Sequence, residues 1–141
     1  MLAGIIVCSD ACFAGKREDE TGPAIVQGLQ MQGVSIHAVT ILPNDADMLK
    51  DMIRMCDQDG CDVIFTAGGV GISPNSVAPE ATEVVCDREI PGIPQAMRQG
   101  GHTGGDVSPF TCPAAKKARW KCCKASRTTT CVAYPEESVV L

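Results

Sequence analysis

A chain of 141 residues is long enough for one real core and is read as a single domain. Its net charge of −5 argues against general nucleic-acid binding, and aromatics at 4% leave a mostly aliphatic core. No apolar run approaches the roughly 20 residues that span a bilayer, and the apolar start lacks a basic flank, so the expectation is a cytoplasmic protein with no membrane partner.

The first element is "GIIVC" (4–8), a short apolar run that suits a buried strand and ends in Ser9-Asp10. "GPAIVQGLQMQG" (22–33) has Pro23 at a helix start and Gly33 at its end. Ala24, Ile25, Leu29 and Met31 mark its inner side. "VSIHAVTIL" (34–42) alternates and is rich in β-branched residues, which predicts a strand. Pro43-Asn44-Asp45 is a turn with an N-cap. Met48, Leu49, Met52, Ile53 and Cys56 then repeat on one helical face. "CDVIFTA" (61–67) is a third strand, "PEATEVVCDR" (79–88) a further helix and "IPQAMRQ" (93–99) a short last one.

The alternation of strand and helix predicts an α/β fold: a three-layer, open, mostly parallel sheet with helices on both faces. The first strand should lie between the other two. Ile5, Ile6, Val7, Ile36, Val39, Val63, Ile64 and Phe65 are the expected core of that sheet. Nine cysteines, with no C-x-x-C and no export signal, read as free thiols.

The composition changes near residue 100. Residues 1–99 carry 6 Lys/Arg against 14 Asp/Glu, whereas residues 100–141 carry 6 against 3. The expected division is therefore a domain over 1–99 and a divergent, poorly ordered tail over 100–141, in which only "TTTCVAY" (128–134) has strand propensity. His102, Cys112, Cys122, Cys123 and Cys131 lack the short spacing of a zinc hairpin, and the basic run "KKARWKCCK" (116–124) reads as solvated.

In open α/β sheets, ligands sit beyond the carboxyl ends of the strands. Two features fall there: Ser9-Asp10, and the glycine loop "TAGGVG" (66–71). Gly68, Gly69 and Gly71 permit positive φ, and consecutive N–H groups in such a turn form an anion-binding concavity. A helix start near Pro79 adds positive potential. The loop is neither a Walker loop nor a G-x-G-x-x-G fingerprint, and a plain tight βα turn is the alternative. Asp10, Asp19 and Asp45 are the acidic groups at the strand ends; carboxylates facing a phosphate site commonly hold Mg²⁺. Their simpler reading is that Asp10 caps a turn, Asp45 caps a helix and Asp19 is solvated.

"CSDACFAG", "EDETGPAI", "LPND", "TAGGVG", "APEAT" and "DREIPGIPQAMR" together resemble the molybdenum-cofactor biosynthesis domain family, of the short MoaB/Mog type, over about residues 4–99. The resemblance implies a molybdopterin-binding α/β domain, commonly a homotrimer. It also implies adenylyl transfer from Mg-ATP to molybdopterin, a nucleotidyltransferase activity in molybdenum cofactor biosynthesis. On that basis Asp10 and Asp45 are the expected catalytic and metal-side residues. Ser9, Thr66, Gly68, Gly69, Gly71, Ser73, Ser76 and Glu80 are the expected contacts to phosphate and pterin.

The chain departs from the family pattern in three respects. Asn44 and Ser76 are neutral where the family commonly has acidic residues. Val70 and Ala78 stand where it commonly has Thr. After Arg98 the family continues with a helix, a strand and an "LPG" loop, none of which is seen here, as expected of a shifted reading frame, an altered gene end or a divergent terminus. The implied activity is thus impaired transfer. A non-catalytic molybdopterin- or nucleotide-binding domain, or an incompletely folding product, are the alternatives.

Overall fold

The computed structural model describes residues 1–70, 74–89, 116–125 and 130–135, with the strands from residue 87 onward given by their backbone alone. Strand β1 (Leu2–Cys8) runs parallel to β2 (Ser35–Leu42) on one side and to β3 (Val63–Gly68) on the other. The first strand is therefore central, as expected. All of Ala3 to Cys8 is buried, which explains the unbroken apolar run: a strand paired on both edges and covered on both faces has no solvent side.

Helices α3 (Ala46–Gln58) and α4 (Ala78–Val85) cover one face. Leu49, Ile53 and Cys56 of α3 and Ala78 and Ala81 of α4 pack with Ile6, Cys8, Leu42 and Ile64 of the strands. Of the face read from helical spacing, Leu49, Ile53 and Cys56 are buried and Met52 is half-buried, whereas Met48 is 43% exposed. Each fully buried Leu or Ile contributes roughly 1.5–3 kcal/mol, so this layer holds most of the core. Cys8, Cys12, Cys56, Cys61 and Cys86 are buried and form no disulfide among the described residues.

Helix α2 (Thr21–Met31) covers the opposite face more thinly. Gly22 is its one buried residue, and a β-carbon there would stand 2.9 Å from Val39 Cγ1. Ile25 and Leu29 are half-buried and Ala24 is exposed, while Met31 is 78% exposed. The expected inner side is thus only partly realised. Correspondingly, Ile36 and Phe65 are half-buried and Val39 is 42% exposed, in contrast to the fully buried Ile5, Ile6, Val7, Val63 and Ile64. For Ile36 and Val39 the cause is position: β2 ends the sheet, and α2 approaches Val39 through a residue without a side chain.

Beyond β3 the sheet continues through β6 (Thr130–Pro135), β5 (Lys116–Ala125) and β4 (Asp87–Glu89). Pairings β3–β6 and β6–β5 are antiparallel, and β5–β4 is parallel. Strand β6 falls where strand propensity is read. The backbone of β5 pairs with β6, a relation no single-segment pattern records. The helix read to residue 88 stops at Val85, because Cys86 is fully buried in extended backbone (φ −101°, ψ 136°) and leads into β4. The expected helix at 93–99 lies outside the described residues. Among the described residues no helix is long and apolar enough to cross a membrane.

Candidate active site

Strands β1, β2 and β3 point their carboxyl ends the same way, so the loops that follow them share one rim. Ser9 leaves β1 in extended backbone, donates its N–H to the Leu42 carbonyl at 2.8 Å and caps helix α1 (Asp10–Phe13), its Oγ accepting from Cys12 N–H at 3.3 Å. This frees Asp10 from capping duty. Its carboxylate is exposed and reaches across to the loop after β2. Asp10 Oδ1 accepts the Asn44 backbone N–H at 2.8 Å, and Oδ2 accepts Asn44 Nδ2–H at 2.8 Å. The backbone bond, and then the side-chain bond, hold the Asp10 carboxyl below the usual carboxylate range.

Asp45 occupies the next position but faces elsewhere. In extended backbone it caps α3, with Oδ1 accepting Asp47 N–H at 2.9 Å and Met48 N–H at 2.8 Å. Its Oδ2 makes no hydrogen bond among the described residues, and Asp45 joins the rim only by turning away from the cap. Asp19 is likewise a cap, its carboxylate accepting from Thr21 and Gly22 N–H at 3.0–3.3 Å.

The glycine loop begins at Gly68, opposite Cys8, with φ +81°, and continues at Gly69 with φ +61°. The two left-handed positions turn the chain off the strand end, where only glycine is unstrained. Gly69 sits in a narrow cradle: a β-carbon there would stand 3.0 Å from Asn44 Oδ1, 3.1 Å from Cys8 Cβ and 3.2 Å from Ala78 Cβ. The Gly69 carbonyl also accepts the Ala78 N–H at 3.0 Å. This bond satisfies the first N–H of α4, whose cap position is Val77 and not Ala78 and which has no side-chain cap.

The structure thus brings Ser9, Asp10, Gly68 and Gly69 together. Thr66 lies deeper, 2% exposed, with its Oγ1 buried and unpartnered among the described residues. Ser76 is half-buried ahead of α4, and Glu80 is exposed in the first turn of α4. Gly71 and Ser73 lie outside the described residues. Asn44 enters the sequence reading only as a neutral departure from the family pattern, and not among the expected site residues. A Pro-Asn pair after the strand next to Ser9-Asp10 was the available signal. Among the described residues no three His, Cys, Asp or Glu side chains converge to hold a metal.

A parallel strand trio with a carboxylate and a glycine turn on one rim defines an open α/β domain whose candidate site lies at the carboxyl ends of the strands. The profile of the probable molybdopterin binding domain matches residues 4–135, and the chain belongs to that family. It is 34% identical over 99 residues to the molybdopterin adenylyltransferase of Helicobacter pylori, covering 67% of this chain and 56% of that protein. For the molybdopterin adenylyltransferase of Haemophilus influenzae the identity is 32%, covering 68% of this chain and 50% of the relative. The chain spans about half the length of these curated relatives. The molybdopterin biosynthesis enzyme MoaB of Thermus thermophilus has a similar structure, with TM-score 0.73 at 33% identity over 84% of this chain and 75% of that one. A MogA structure gives TM-score 0.73 at 32% identity, covering 92% and 80%.

Proposed function

We propose that this chain acts in molybdenum cofactor biosynthesis by transferring an adenylyl group from ATP to molybdopterin, at a reduced rate. The observation that carries the reading is the shared rim: Asp10, held by Asn44, stands at the end of β1 beside the Gly68–Gly69 turn at the end of β3. Relatives named molybdopterin adenylyltransferase support the substrate class.

In this reading a terminal phosphate oxygen of molybdopterin attacks the α-phosphorus of ATP and pyrophosphate leaves. The backbone of the glycine turn orients phosphate oxygens. Asp10 supplies the exposed carboxylate. Mg²⁺ bound to nucleotide phosphates commonly needs one or two protein carboxylates, and Asp10 offers one, through the lone pairs not used by Asn44. A cation there would neutralise charge on the transferring phosphoryl group. Asp45 holds the first turn of α3 and so fixes the direction of the Pro43–Asn44 turn. Asn44 and Ser76, both neutral, leave less negative charge to hold the cation, which motivates the reduced rate. Two water-soluble phosphate esters as substrates suit the cytoplasm.

We also infer a homo-oligomer, a trimer by resemblance. The thin cover over β2 supports it, since α2 and β2 leave a groove lined by Pro23, Val26, Val39 and Ile41.

The test is AMP incorporation into molybdopterin by the full chain with Mg-ATP. Slow incorporation that Asp10→Ala lowers a further roughly 10²–10³-fold is expected, as for loss of one electrostatic stabiliser. Incorporation equal in both proteins would reject the assignment of Asp10, and none in either would reject the activity.

A further inference from the structure

Asn44 touches all three strand-end loops. It follows β2, its backbone N–H and Nδ2 both bind the Asp10 carboxylate after β1, and its Oδ1 lies against Gly69 after β3. The amide cannot turn over, because a carboxylate must meet N–H groups and not a carbonyl oxygen. Its Oδ1 is therefore driven into the Gly69 cradle, where it is buried and has no donor among the described residues. An unpartnered buried acceptor costs free energy. A residue that bears this cost while its backbone N–H and a side-chain N–H both bind one carboxylate serves that carboxylate.

We propose that Asn44 is the positioning residue of the rim: it sets the Asp10 carboxylate and buttresses the Gly69 turn, so that the phosphate-binding edge is assembled before any cation arrives. The proposal rests on the nucleotide-binding reading above. An aspartate at this position would set two carboxylates against each other at the distance now bridged by Nδ2–H, and would need a cation to hold them together. Asparagine removes that requirement. The chain's affinity for the triphosphate should accordingly depend little on divalent cations.

Two measurements on the full chain test this. In the first, ATP affinity is measured by calorimetry with excess Mg²⁺ and again with EDTA, for the wild type, Asn44→Asp and Asn44→Ala. The wild type should lose less than about tenfold on cation removal, and Asn44→Asp clearly more than the wild type. Asn44→Ala should bind roughly tenfold more weakly than the wild type in both conditions, as for loss of hydrogen bonds to a charged group. The same cation dependence in wild type and Asn44→Asp, or unweakened binding by Asn44→Ala, overturns the proposal. The second measurement needs no ligand. In ¹⁵N spectra, Asp10→Ala should move the Asn44 side-chain amide and the Gly69 amide; with Asn44→Ala already present, adding Asp10→Ala should leave Gly69 in place. If Gly69 moves equally in both backgrounds, Asn44 does not couple the loops and the proposal fails. Should no variant bind ATP, the nucleotide reading fails, and the spectra alone decide whether Asn44 holds the rim.

Discussion

Gly68 and Cys8 are paired neighbours at the ends of β3 and β1, and a β-carbon on Gly68 would overlap the Cys8 carbonyl oxygen. With φ at +81°, the residue is also in the left-handed region. Two independent causes therefore demand glycine at the point where the sheet hands over to the loop.

Gly68→Ala should destabilise the fold by at least about 2–3 kcal/mol, through left-handed strain and the clash with backbone that cannot move aside. A chemical denaturation midpoint measures this. A variant as stable as the wild type would mean that the strand ends part more easily than their pairing indicates.

Asp45 is placed as the N-cap of α3, and cap chemistry separates that role from metal binding. Asn caps as well as Asp, whereas Ala costs about 1 kcal/mol. Asp45→Asn should keep both stability and ATP affinity, and Asp45→Ala should lose stability alone. A large loss of Mg-ATP affinity in Asp45→Asn would show that its carboxylate turns to the ligand.

Thr66 Oγ1 is buried with no partner among the described residues. Replacing an unsatisfied hydroxyl by a methyl group of similar shape removes that burden, so Thr66→Val should be neutral or stabilising by about 1 kcal/mol. Thermal unfolding checks the sign. A destabilised variant that also loses ligand would mean that Thr66 reaches the site, as its expected role requires.

Burial pushes the Cys56 thiol up to about 11 from 9.0, with the neighbouring Cys61 adding to the shift. The unfolded chain thus releases this proton more readily than the folded one. The neutral thiol's contribution is fully present below pH 9.0 and is lost as pH rises toward about 11. Urea midpoints of the wild type should fall across that window, and those of Cys56→Ala should fall less. Parallel curves would show that other groups set the alkaline limit.

Much of this architecture was legible in the chain itself. The run of Ile5, Ile6 and Val7, the one-sided spacing of Leu49, Ile53 and Cys56, and the glycines after Phe65 each report a local requirement: burial on two faces, burial on one, and a turn with positive φ. Such requirements act within a few residues of their own position, so pattern records them. The division of labour among the acidic residues could not be read this way. Asp45 and Asp10 both look like strand-end carboxylates, yet one faces the N–H groups of α3 and the other the amide of Asn44, 34 positions away. Nor could the chain alone show that α2 would leave Val39 exposed, or that β5 would find β6. Those outcomes depend on which strand ends the sheet and which loops meet at its rim. The contacts join residues distant in sequence, and only the assembled sheet brings them within reach of one another.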